Sequence, residues 1–99
     1  MQYKLIDIET QPVVLRMFPK TVGGHVSYSH FQRLEPGKVY ETDDKAQMEY
    51  IREHTVKVRH NPSIEKSLKD AGIPYEIIRC KSCGGRIRKI EYKNVEVIE

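Results

Sequence analysis

The chain predicts a small α+β domain: a mostly antiparallel sheet, two short helices and a C-terminal β-hairpin that carries a cysteine knuckle. Three observations predict it. Apolar and polar residues alternate with period two in short runs such as His25 to Phe31 and Thr55 to His60, the spacing of half-buried strands. Two segments carry helix start and stop signals. Between these runs, Pro and Gly punctuate the chain at turn spacing. Ninety-nine residues suit a single domain, read as an α+β body over 1–74 and the Cys-x-x-Cys hairpin over 75–99.

Tyr3 to Ile8 and Val13 to Phe18 are apolar-rich and read as two strands joined by a turn at Glu9-Thr10-Gln11-Pro12. Gly23-Gly24 marks the next turn or flexible loop. In the strand that follows, Val26 and Tyr28 share one face and Ser27 and Ser29 the other. Glu35-Pro36-Gly37-Lys38 is a β-turn, because proline presets φ at its second position and glycine takes positive φ at its third. Val39-Tyr40 resumes a short strand. Thr42 caps a helix that opens with Asp43 and Asp44, whose charges suit the positive end of the helix dipole. That helix runs to Glu53 or His54, with Met48 and Ile51 inward.

Thr55 to His60 alternates again, with Val56 and Val58 opposite Lys57 and Arg59. The second helix has Asn61 as cap, Pro62 at its first position, and Ile64, Leu68 and Ala71 on one stripe. Gly72 stops it and Pro74 prevents continuation. Tyr75 to Arg79, Arg86 to Tyr92 and Val95 to Ile98 complete the chain as strands around the knuckle.

Only 38% of residues are hydrophobic, 31% are charged and tryptophan is absent, so the core is expected to be thin. A metal ion or self-association would reinforce it. The net charge of +3 falls short of a dedicated nucleic-acid binder, but its distribution is uneven. From Arg79 to Lys93 six basic residues face the single acid Glu91, while Glu41 to Glu53 is the acidic counterweight. The first residues lack the apolar core of a signal peptide, and no apolar run is long enough to span a bilayer. The expectation is a protein kept inside the cell, with no membrane partner.

Cys80-Lys81-Ser82-Cys83-Gly84-Gly85 is the most specific motif. Two thiolates spaced Cys-x-x-Cys grip one metal from a tight turn, and a strand enters and leaves as in half a zinc ribbon. A thioredoxin-type site would instead open a helix, which Gly84-Gly85 and the strand pattern after it disfavour. A structural zinc takes four ligands, and this chain has two cysteines. His54 or His60 could add one. Both cannot join, because six residues of strand separate them by about 20 Å at ~3.3 Å per residue. A site shared by two copies, each giving Cys80 and Cys83, is the economical solution. The competing reading is a pair of unliganded turn thiols or a labile disulfide.

Arg86, Arg88, Lys89 and Lys93 could meet phosphates, with Tyr92 as a stacking surface. The bland reading is a solvated strand face or contacts to an acidic protein. Nothing favours an enzyme: no Ser/His/Asp or Cys/His grouping occurs at useful spacing, and Asp43-Asp44 is explained as helix-terminal charge. No small-molecule substrate is expected.

Phe31 to Asp44, with its Pro-Gly turn and Thr-Asp-Asp helix start leading into Tyr50-Ile51-Arg52, resembles a pattern in small structural proteins of tailed bacteriophages. Cys80 to Gly85 resembles the knuckle of a zinc ribbon without its second cysteine pair. Together they span under half the chain. The resemblance implies a small virion-associated protein, a minor capsid-associated or other structural component, located in the virion or otherwise in the host cytoplasm. Its expected partners are other virion proteins or copies of itself. The alternative is a phage-encoded regulator that binds nucleic acid or the host transcription machinery.

Overall fold

The computed structural model describes residues 1–79, 81–84 and 88–98, and of Cys83 the main chain only. It is an α+β fold in which every strand pairing is antiparallel. The order is β1 (Gln2–Leu5), β2 (Val13–Val22), β3 (His25–Leu34), β4 (Tyr40–Glu41), α1 (Lys45–Glu53), β5 (Val56–Arg59), α2 (Pro62–Ala71), β6 (Tyr75–Arg79), β7 (Arg88–Tyr92) and β8 (Val95–Ile98). A 3₁₀ turn, Lys81–Cys83, lies between β6 and β7. The strands form three small sheets, ordered β4-β1-β8, β2-β3 and β5-β7-β6.

Two compact units result, Met1–Glu53 with Val95–Glu99, and His54–Asn94. The units therefore divide at 53/54 and 94/95, where sequence had placed a subdivision at 74/75. The reason is pairing: β6 and β5 both hydrogen-bond to β7, whereas β8 pairs with β1. The tail strand thus belongs to the first unit and not to the knuckle hairpin.

In the first unit, Tyr3, Leu5, Leu15, Met17, Leu34, Ile51 and Val95 form the buried core. Tyr3 stacks on Tyr40 with ring centroids 5.9 Å apart and donates its hydroxyl to Gln32 Oε1. Burial pushes the Tyr3 phenol above its usual pKa, since desolvation disfavours the phenolate. The helix α1 is tied to β2 by the Tyr50 hydroxyl, which donates to the Arg16 carbonyl at 2.8 Å. The Pro36-Gly37 turn forms as expected, with Lys38 N–H donating to the Glu35 carbonyl at 3.2 Å and Gly37 at φ +79°.

Three expectations for this unit are corrected. The strands around Glu9 to Pro12 do not pair with each other: β1 pairs with β4 and β8, and β2 with β3. The cap of α1 is Asp44, not Thr42, because Asp44 Oδ1 accepts from Gln47 N–H at 3.0 Å. Thr42 Oγ1 instead accepts from Asp44 N–H and donates to Gln47 Oε1, one turn upstream of the helix. Both carboxylates consequently precede the first helical turn.

In the second unit, the sequence signals of α2 operate as read. Asn61 Oδ1 accepts from Ser63 N–H at 2.8 Å, and Gly72 closes the helix at φ +70° with its N–H on the Leu68 and Lys69 carbonyls. Only a residue without Cβ takes that conformation cheaply. Leu68 and Ile90 are fully buried and Tyr92 nearly so. Ala71, expected on the buried stripe, is exposed, because it occupies the final turn.

Candidate functional site

The register of the second sheet decides which side chains meet. Side chains alternate faces along a strand, so the rows Val56-Tyr92-Tyr75 and Val58-Ile90-Ile77 share the apolar face. The intervening row Lys57-Glu91-Glu76 lies on the opposite face. There Glu91 receives the Thr55 hydroxyl at 3.0 Å and lies 3.8 Å from Lys57 Nζ. An open cleft of about 530 Å³ lies at this end, bordered by Ile73, Pro74, Tyr75, Glu76, Glu91 and Tyr92 among others.

The other end of the sheet differs in charge. Arg59 stands directly opposite Lys89, and Arg79 directly opposite Arg88. Like charges facing each other across an antiparallel ladder are destabilising. Because adjacent rows point to opposite faces, one pair flanks each side of the sheet. Lys81, in the 3₁₀ turn just beyond β6, adds a fifth cation. All five are exposed, and none forms an ion pair among the described residues.

Of the residues expected to meet nucleic acid, Arg88 and Lys89 lie here, on opposite faces. Lys93 follows β7 at the far, cleft-bearing end. Arg86 lies outside the described residues. Arg59 and Arg79 were absent from the expected set, and the register alone brings them in. For Arg79 a signal existed, since it belongs to the basic run; for Arg59, thirty residues in sequence from Lys89, there was none.

Cys80 lies outside the described residues, as does the Cys83 side chain. The main chain from Lys81 to Gly84 makes a tight turn: Gly84 N–H donates to the Lys81 carbonyl at 3.3 Å, and Gly84 is at φ +65°. The two histidines separate along β5. His60 sits at the cationic end, its N–H on the Arg88 carbonyl at 3.0 Å and its Nε2 3.7 Å from Glu65 Oε1. His54 precedes β5 at the other end, where desolvation lowers its pKa below 6.5. Among the described residues, no group of three or more His, Cys, Asp and Glu side chains gathers around one point.

The first unit presents a second candidate. Strands β2 and β3 form a hairpin of ten residues each, closed by Gly23-Gly24 at φ +58° and +81°. Positive φ at both central residues is the two-residue turn that matches strand twist. Val13, Leu15 and Met17 face the core, while Val14 and Phe31 are exposed on the other side. Beyond Pro19 the hairpin leaves the core: Lys20 to Ser27 are all exposed, with Val22 at 62% and Val26 at 55%. The half-buried strand expected around Val26 is therefore bare there. From Thr10 to Leu34 the chain has no acidic residue, so the hairpin is cationic through Arg16, Lys20 and Arg33.

Where the hairpin leaves the core, the backbone is strained. Phe18 has φ +60°, and the ladder skips Phe18 and Ser29 while keeping register on both sides. The Phe18 ring packs on the core and against Tyr50, with centroids 5.7 Å apart. No protein-family model, curated protein or solved structure matches the chain.

Proposed function

We propose that this chain is a non-enzymatic structural and interaction protein, a minor capsid-associated or other component of a tailed-phage virion. One observation carries the reading: the β2–β3 hairpin extends exposed valines and open strand edges beyond its own core. Among the described residues the two strands pair only with each other. A two-stranded ribbon is marginal in water, and unpaired edges are templates for a neighbouring chain. A protein that works inside an assembly has its neighbours to cover both. The partners are then other virion proteins or further copies of this chain.

In this reading zinc, held by Cys80 and Cys83 of two copies, staples the assembly. The tight Lys81–Cys83 turn supports it, since Cys-x-x-Cys ligation needs such a bend. His60 is the better placed of the two histidines to join, being at the sheet end where the turn lies. The alternative function, a regulator that binds nucleic acid or host transcription machinery, draws on the Arg59/Lys89 and Arg79/Arg88 rows.

The test is peptide mass spectrometry of gradient-purified virions of the phage that encodes the chain. Its presence at a fixed copy number per virion is expected. Its absence from virions, in infected cells that express it, would overturn the assignment. Native mass spectrometry with and without chelator reads the metal: one zinc per two chains, with dimers lost on chelation, is expected, and a metal-free monomer refutes the staple.

A further inference from the structure

We infer that the cationic end of the β5–β7–β6 sheet is a binding site for duplex nucleic acid, entered as a β-ribbon enters a groove. This inference rests on the nucleic-acid reading of the second unit's register, which it makes specific, and does not depend on the virion assignment. Two cation pairs, Arg59/Lys89 and Arg79/Arg88, sit directly cross-strand. Each pair repels itself in the free protein, and anions brought between or beside the charges relieve that repulsion.

The placement of the pairs selects the kind of anion. They lie on opposite faces of the sheet, because adjacent rows alternate. Lys81 stands beyond the strand ends. A flat acidic protein surface can meet one face of a sheet and leaves the other pair unneutralised. A duplex groove is bounded by two phosphate strands, and the major groove admits a β-ribbon. Phosphates on two walls answer cations on two faces. Neither cation row contains an acid; Glu76 and Glu91 lie two rows away on the Arg59/Lys89 face, where Glu91 is 3.8 Å from Lys57, and Glu65 is 3.7 Å from His60. Contacts of this kind fix position and carry little sequence information.

The experiment is fluorescence anisotropy of the full chain with a mixed-sequence 20-base-pair DNA duplex, titrated with salt. Five phosphate contacts give a slope of log K against log salt of about −4.5, or roughly a 500-fold loss of affinity between 50 and 200 mM. Arg79→Glu and Lys89→Glu each convert a like-charge pair into an opposite-charge pair. Each variant should raise the urea midpoint while weakening duplex binding and flattening the slope by about 1 to 2. That opposite movement separates a binding role from a structural one, and it removes misfolding as an explanation. Absence of duplex binding at 50 mM salt would overturn the inference. So would equal affinity for single-stranded DNA or polyglutamate of matched charge, or Glu variants that bind as the parent does.

Discussion

Phe18 offers the sharpest test of the physical reasoning, because the expected order of two substitutions there is the reverse of what side-chain size alone predicts. Its φ of +60° belongs to the left-handed region, which costs a residue with Cβ roughly 1–2 kcal/mol. The cost is compounded because Pro19 follows, and a residue before proline is pushed towards extended backbone. What holds Phe18 there is its ring, packed on the core and tilted at 56° against Tyr50. Phe18 is only partly buried, so truncation to alanine forfeits about half of the 3–5 kcal/mol typical of a buried phenylalanine, roughly 2 kcal/mol. Phe18→Ala loses that packing and keeps the strain. Phe18→Gly loses the same packing, sheds about 1–2 kcal/mol of strain, and adds roughly 0.5–1 kcal/mol of backbone entropy cost. The glycine variant should therefore be the more stable of the two by about 0.5–1 kcal/mol, a difference of a few degrees in Tm. Urea and thermal unfolding followed by far-ultraviolet circular dichroism read this directly. An alanine variant as stable as the glycine variant, or more so, would refute a strained backbone at this hinge of the hairpin.

Other consequences follow from individual contacts. Asp44→Ala should cost about 1 kcal/mol and Asp44→Asn much less, since either Asn or Asp oxygen can accept the Gln47 N–H; a larger loss from Thr42→Ala in urea titration would restore Thr42 as the cap. Gly72→Ala should destabilise by about 1 kcal/mol through its φ of +70°, and an unchanged midpoint would contradict the left-handed cap. The depressed pKa of His54 means that the unfolded chain takes up a proton more readily than the folded one. Stability contributed by this group is present above pH 6.5 and is lost as pH falls from there towards the folded pKa. His54→Gln should flatten that part of the pH profile, and an unaltered profile would assign the dependence elsewhere. Val22→Ser with Val26→Ser should leave the unfolding midpoint within about 0.5 kcal/mol, because both side chains are already in water. Under the proposed virion role the pair should nonetheless reduce incorporation into virions; full incorporation would free the hairpin tip of any docking role.

Much of the local structure was legible because its causes are local. The Asn61-Pro62 start and the Gly72 stop of α2 need only the residues within one turn, and they operate as read. The Pro36-Gly37 and Gly23-Gly24 turns follow from the φ that proline and glycine allow. Thr42 misled because Thr and Asp satisfy the same N–H groups, and only geometry selects Asp44. Ala71 misled because periodicity marks a stripe without saying where its cover ends. The candidate site was partly visible as a basic run from Arg79 to Lys93, yet the run did not reveal that Lys93 lies at the opposite end of the sheet from Arg88.

By itself the sequence determined the α+β class, the caps of α2, the turns, and the segregation of basic and acidic stretches, since each depends on neighbours a few residues apart. The tertiary structure decided the pairings. It joined β8 to β1 across some ninety positions, gathered Arg59 with Lys89 and Arg79 with Arg88, and left β2 and β3 paired only with each other, with Lys20 to Ser27 exposed. Strand pairing is a contest among many edges of similar hydrogen-bonding capacity, and it is decided by which register buries the most apolar surface. That comparison is made over the whole chain at once, so no local run of residues contains its result.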